Sequence, residues 1–254
     1  MKRIFAAGFF ICMSCQSFAA ASFTLPSKNF YLGVGAGGMF YKTSGNNYLN
    51  TGPGWPNDYY STNGVSSQPY GLLAAGYTWQ RKKTWLPNYS LGLRYMFASN
   101  ASISGNINQY SLPAFKNYHY SYDVQTLTVL AILKADIYRW NNLMPYIMAG
   151  AGVVNYSTPN YSEQALVGVT PRVSPAFGGV GGNNFAYQLA VGLDYALRQN
   201  VLVNIEYDYN NYGTIRTGKG ANYVTATGAN FDNESLKNKL SATSLFLGVS
   251  FYVG

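Results

Sequence analysis

The chain has 254 residues and a formal net charge of +8, yet only 10% of its residues are charged, while 17% are aromatic, with 24 tyrosines and 27 glycines. Soluble domains carry roughly 25% charged residues, and the thin, scattered positive excess does not point to nucleic acid. Beyond the N-terminus no apolar run approaches the ~20 residues that a membrane-spanning helix needs, so the composition describes a wall that is apolar on one side only.

The N-terminus reads as an export leader. Lys2 and Arg3 form a positive n-region, Ile4 to Met13 an apolar stretch, and Ser17-Phe18-Ala19-Ala20-Ala21 a small-residue cleavage zone, where a cut after Ala19 or Ala21 fits equally well. Both cysteines, Cys12 and Cys15, fall inside this segment, so the mature chain is expected to form no disulfide. An acylated Cys15 is the alternative, but Cys12-Met13-Ser14 lacks the leucine usual before such a cysteine. The expected organisation is a signal peptide over 1–21 and one domain over 22–254.

From there on the informative pattern is period-two alternation, the signature of strands with one apolar face. Residues 30–41 set Phe30, Leu32, Val34 and Ala36 against Gly33, Gly35 and Gly37, and residues 70–79 end on Tyr77 and Trp79. The clearest case is 89–99, with Tyr89, Leu91, Leu93, Tyr95 and Phe97 on one face and Ser90, Gly92, Arg94, Met96 and Ala98 on the other. Residues 124–138 alternate Leu127, Val129, Ala131, Leu133 and Ile137 against Thr126, Thr128, Lys134 and Asp136, although Leu130 and Ile132 blur the second face. Similar alternation runs through 144–156, 185–197, 201–210 and 243–253. With no helix or second layer to cover them, the large residues are expected to face lipid, and the small and polar ones a narrow lumen. Each segment meets the ~9–11 residues that a tilted strand needs to cross a bilayer.

Eight such strands predict an all-β fold, a closed antiparallel up-and-down transmembrane barrel. The connections sort by length: 42–69, 100–123, 157–184 and 211–242 are long, whereas 80–88, 139–143 and 198–200 are short. Outer-membrane barrels have short periplasmic turns and long external loops, so both termini are expected in the periplasm. The long connections are rich in Asn, Gly, Ser, Tyr and Pro, which favours turns over a folded extra domain. A soluble lipocalin-like barrel is the architectural alternative, but it would place the apolar residues inside.

Phe30-Tyr31-Leu32-Gly33-Val34-Gly35-Ala36-Gly37 and Pro145-Tyr146-Ile147-Met148-Ala149-Gly150-Ala151-Gly152 resemble the first and fifth strands of small outer-membrane barrels of the OmpA/OmpX type. The resemblance covers nearly all of the mature chain in layout. It implies insertion by the barrel assembly machinery through the last strand, where Gly248, Phe251 and Val253 match the family's signal, while Phe246 stands where a polar residue is usual and Gly254 where an aromatic is usual. It also implies an interior ion-pair network that either braces the walls or gates a narrow pore.

The candidate site residues are the inward charges. Arg94 lies mid-strand and Glu206 at comparable depth four strands away, so the two are expected to pair across the lumen. Lys134, Asp136 and Asp194 lie lower, and Asp208 shares the inward face of Glu206. Facing lipid, such groups would each cost roughly 2–4 kcal/mol near the midplane for Arg or Lys and less for acids.

Three readings of function stay open: a structural or narrow porin-like barrel; a surface adhesin or receptor using loop residues such as Tyr48, Trp55, Tyr59 and Tyr60; and, more distantly, a lipid A-modifying enzyme. The last rests on His119-Tyr120-Ser121, which resembles the His-x-Ser pair of outer-membrane deacylases but is placed in a loop before the fourth strand with no acidic partner. No enzyme, metal or cofactor is therefore expected. The expected partners are outer-membrane lipid and lipopolysaccharide, the assembly machinery and a possible external ligand. The basic turn Arg81-Lys82-Lys83 would lie at the periplasmic edge.

Overall fold

A computed structural model describes residues 28–50, 54–81, 83–175, 177–224, 230–231 and 234–253. The expected signal peptide lies outside them. Thirteen strands follow one another: β1 Lys28–Ser44, β2 Asn46–Leu49, β3 Asp58–Val65, β4 Gln68–Gln80, β5 Asn88–Asn108, β6 Lys116–Asp136, β7 Leu143–Thr158, β8 Ser162–Ala165, β9 Val180–Arg198, β10 Val201–Arg216, β11 Gly220–Val224, β12 Asn230–Phe231 and β13 Lys237–Val253.

Pairing is antiparallel throughout. The long strands follow β1–β4–β5–β6–β7–β9–β10–β13, and β13 pairs back onto β1, so each has a hydrogen-bonded neighbour on both edges. A ring of this kind leaves no long strand edge open to pair with another chain. The sheet holds eleven strands rather than eight. The additional three are short pieces of the long connections: β2 pairs with β3, β3 with the far end of β5, and β8 with the start of β6. A separate two-stranded piece joins β11 and β12.

The side chains follow the pleat. Phe30, Leu32, Val34, Leu91, Leu93, Leu133, Ile147, Leu189, Val191, Leu247 and Phe251 are exposed on the outward wall, forming an apolar belt around the ring. Tyr31, Leu130, Ile132, Tyr146, Phe246 and Tyr252 are buried inside. The expectation that mainly small and polar groups face the lumen, blurred by Leu130 and Ile132, is corrected here, because bulky aromatics also fill much of it. Two inward glycines make room for them. A Cβ at Gly35 would come within 2.4 Å of the Phe246 ring, and one at Gly192 within 2.3 Å of the Tyr146 ring. Phe246, out of place for an assembly signal, packs in the core beside Tyr70 with ring centroids 6.2 Å apart.

The short connections hold local reasons for turning. Trp140 and Leu143 exchange both backbone hydrogen bonds, at 2.9 Å each, around Asn141, whose φ of 54° lies in the left-handed region that Asn tolerates. At the opposite end several strands outrun their expected limits. β5 continues to Asn108 and β6 begins at Lys116, so most of the expected loop 100–123 is a hairpin whose tip carries two single 3-10 turns. Tyr118, Tyr120, Tyr122, Ile103 and Ile107 give this extension a buried face of its own. Period-two order does run through it, with Ile103 and Ile107 against Ser104 and Asn106, and Tyr118, Tyr120 and Tyr122 against His119, Ser121 and Asp123; the expectation of a loop rests instead on the Asn and Ser there, which also suit turns.

Candidate functional site

Arg94 and Glu206 meet in the middle of the ring. Arg94 comes from β5, opposite Leu130 of β6, and Glu206 from β10, opposite Phe246 of β13. The guanidinium donates to both carboxylate oxygens, Nη1 to Oε1 at 2.5 Å and Nη2 to Oε2 at 3.1 Å, with the two side chains 7% and 1% exposed. Tyr146 donates its hydroxyl to Glu206 Oε2 at 2.8 Å, and Gln188 Oε1 accepts from Arg94 Nη1 at 3.0 Å. Such a two-pronged pair adds direction to charge, and inside a low-dielectric wall its ions stay only because each is bonded on several sides.

The remaining candidates form layers around this pair. Lys134 donates to Asp194, lies 4.0 Å from Asp136, and holds its ammonium 3.8 Å from the centre of the Tyr146 ring. Asp136 also accepts from Asn88 Nδ2 at 2.6 Å. Asp208 makes no bond to Arg94; its carboxylate accepts from Ser244 Oγ at 2.5 Å, from Tyr70 at 3.4 Å and from Asn210. The cavity left beside Arg94, Lys134, Glu206 and Asn204 is about 30 Å³, room for one or two waters. Sequence reasoning missed Tyr146, Gln188 and Tyr70. Inward parity marks each of them, but only the folded ring shows which side chains reach the central charges.

A second polar cluster lies at the long-connection end, and no sequence pattern pointed to it. Arg172, in the 159–179 connection, donates to Glu163 Oε2 at 2.7 Å, lies 3.5 Å from Asp58 and covers the Tyr118 ring at 4.5 Å. Tyr161 and Tyr60 donate to Glu163 Oε1 at 2.6 and 3.2 Å. Burial pushes the Asp58 carboxyl up from its ordinary value, opposed by the Tyr110 amide that it accepts at 2.9 Å and by the Arg172 charge. Burial, and then the Glu163 charge, raises Tyr60 well above the ordinary phenol range. Tyr60, expected on an open loop face, is therefore fully buried, whereas Tyr48 and Trp55 are exposed.

His119 and Ser121 lie within β6 rather than in a loop, opposite Asn106 and Ser104. The Ser121 hydroxyl bonds Ser162 Oγ at 3.2 Å, and Asp123, next on that face, accepts from Asn160 at 2.8 Å.

No family model matches the chain. Over 116 residues, 46% of this chain and 45% of the relative, it is 24% identical to the outer membrane protein PagN of Salmonella typhimurium, so the match spans less than half of that protein. Among solved structures it is similar to Neisserial surface protein A (15% identity, TM-score 0.45, covering 87% of this chain and 96% of that one). It is likewise similar to the outer membrane protein OprG from Pseudomonas aeruginosa (14% identity, TM-score 0.49, 90% and 97%). In its PagN-like stretch, its ring of antiparallel strands and its apolar outward belt, the chain resembles small outer-membrane β-barrel proteins.

Proposed function

We propose that residues 1–21 export the chain and that residues 22–254 form a closed eight-stranded barrel spanning the outer membrane. Its role is structural: a sealed wall that carries an ordered surface platform. The carrying observation is the interior, where Arg94, Glu206, Tyr146 and Gln188 are joined directly across the ring and the cavity beside them is about 30 Å³. An eight-stranded barrel is only just wide enough for side chains to fill. A narrow channel, the other form of this reading, requires that central group to part.

The short connections 81–87, 137–142 and 199–200 all lie at one end of the ring, together with Lys28 and Val253, the first and last described residues. By the usual asymmetry of such barrels this is the periplasmic end. The surrounding lipid contacts the belt, and β13 addresses the assembly machinery. The reading assigns no catalytic residue: Ser121 bonds Ser162 and Asp123 accepts from Asn160, and among the described residues no hydrogen bond joins either of them to His119. Planar-bilayer recording of the refolded mature barrel tests it: the expected result is no current above the lipid background, and reproducible single-channel steps would overturn the sealed wall.

A second reading, attachment to an external ligand, is favoured by one observation. Trp55 and Tyr110 lie 5.1 Å apart with their rings tilted by 34°, and Phe115 meets Tyr110 edge-on at 6.1 Å, with Trp55 exposed beside the hairpin tip and Leu112 and Phe115 exposed on it. Rigid aromatics suit contact surfaces of this kind. Serine at Trp55 and Phe115 is expected to abolish adherence of expressing cells while leaving the barrel folded, and unchanged adherence would dismiss it.

A further inference from the structure

Four cations stand together on the outward wall, just past the apolar belt at the long-connection end. Lys42 on β1, Lys237 and Lys239 on β13, and Arg216 on β10 are all exposed. Register sets them side by side. Lys237 is the Cα partner of Arg216, Lys239 pairs with Ser44 and Thr214, and Lys42 pairs with Ser241, one outward position from Lys239. Diagonal neighbours on one face of a sheet lie ~7–8 Å apart, and like charges directly opposed destabilise the pair. Lys237 and Arg216 are so opposed.

Among the described residues no carboxylate forms an ion pair with any of the four. Asp208 points inward, Asp58 and Glu163 are held by Arg172, and Asp123 sits on β6, across the ring. Glu234, three residues before Lys237, makes no such pair either. Phe40, Tyr209 and Leu245 are exposed immediately below the patch, with Phe40 and Tyr209 both flanking Thr243. At ~3.3 Å per residue, Lys42 stands roughly 6–7 Å along the strand beyond Phe40.

The arrangement calls for a counter-charge that comes with an apolar tail. A free anion would neutralise the cations but leave the belt below uncovered, whereas a lipid whose acyl chains lie on Phe40 and Leu245 brings its phosphates to the height of the cations. We propose that Lys42, Arg216, Lys237 and Lys239 bind the phosphate groups of a phosphorylated glycolipid in the leaflet at the long-connection end. The glycolipid rests on the reading of that end as the external one. The cations hold the headgroup phosphates, and the aromatic rim holds the proximal chain segments.

Native mass spectrometry of the full barrel in a neutral detergent tests it with phosphorylated lipid A, with dephosphorylated lipid A of the same acylation, and with inorganic phosphate. In Lys42→Gln/Arg216→Gln/Lys237→Gln/Lys239→Gln, affinity for phosphorylated lipid A falls more than about tenfold. In Arg81→Gln/Lys83→Gln/Arg198→Gln, which removes charge at the opposite end, it is unchanged. Dephosphorylated lipid A binds the parent as weakly as phosphorylated lipid A binds the quadruple variant, and millimolar inorganic phosphate does not displace the lipid. Equal binding by parent and quadruple variant, equal binding of the two lipids, or displacement by inorganic phosphate each overturns the site. A cysteine at Ser44 reports separately on orientation: failure to label it on intact cells removes the external assignment, while the micelle measurements still decide whether the cations recognise lipid phosphate.

Discussion

Breaking the Arg94–Glu206 pair from one side and then from both measures what the centre of the barrel contributes. Each ion is almost wholly buried, and Glu206 holds two bonds from Arg94 and one from Tyr146. Glu206→Met leaves the guanidinium without a counter-charge, and the loss of one partner of a buried pair costs about 3–5 kcal/mol. Part of that loss is the ~1–3 kcal/mol of the Tyr146 hydroxyl left without its acceptor. Arg94→Met leaves Glu206 with Tyr146 alone and falls in the same range. The double variant Arg94→Met/Glu206→Met removes both ions, and hydrophobic replacement of a whole buried pair is often neutral or stabilising, so it is expected within about 2 kcal/mol of the parent. The coupling energy of the cycle is then at least about 4 kcal/mol. Urea unfolding of the barrel in phospholipid vesicles, followed by tryptophan fluorescence, reads all four corners. If the single losses simply add in the double variant, or if each is below about 1 kcal/mol, the pair does not brace the wall as argued.

Other consequences follow from particular contacts. Arg172→Ala strips both buried carboxylates, Asp58 and Glu163, of their cation, so the 159–179 connection is expected to become protease-sensitive and to lose about 3–5 kcal/mol of local stability. The barrel should keep its heat-modifiable gel migration, and an unchanged digestion pattern would count against the anchor. A Cβ at Gly71 would meet the Phe97 ring at 2.2 Å, with only that ring within 3 Å. Phe97 is exposed and the contact is with the far end of its ring, which can turn aside, so Gly71→Ala should cost less than about 1 kcal/mol; a larger loss in the urea midpoint that Phe97→Leu restores would show that the ring is held fast. Tyr60 and Tyr161 have their phenol pKa raised well above the ordinary 10.0, first by burial. Their folded pKa exceeds the unfolded one, so their stabilisation is complete below about pH 10 and is lost as pH rises toward the folded value. Absorbance at 295 nm should thus show tyrosines that ionise only as the long-connection end opens, and a single ordinary titration of all 24 tyrosines would refute this.

Strand alternation made the wall readable from the chain alone. Tyr89, Leu91 and Leu93 against Ser90 and Arg94 require only that successive side chains point to opposite faces, a rule that acts within a few residues. By the same parity Arg94, Lys134, Asp194 and Glu206 had to point inward, because the outward alternative places ions in hydrocarbon. Parity cannot say which inward groups touch. Arg94 and Glu206 are 112 residues apart, and Tyr146 reaches Glu206 across 60; the curvature of the ring decides such meetings. Nor could parity show that Tyr31, Tyr146 and Phe246 fit an interior expected to be narrow, since that depends on glycines of neighbouring strands standing beneath them.

The long-connection end was the least legible part, for the same reason. Asp58 comes from one long connection and Glu163 and Arg172 from another, without a shared motif, and Arg172 and Asp58 are 114 residues apart. Short-range physics therefore settled from the sequence which residues face the belt and which face the centre. Long-range packing, absent from any local window, settled in the tertiary structure which charges neutralise one another and which, at Lys42, Arg216, Lys237 and Lys239, have no carboxylate partner among the described residues.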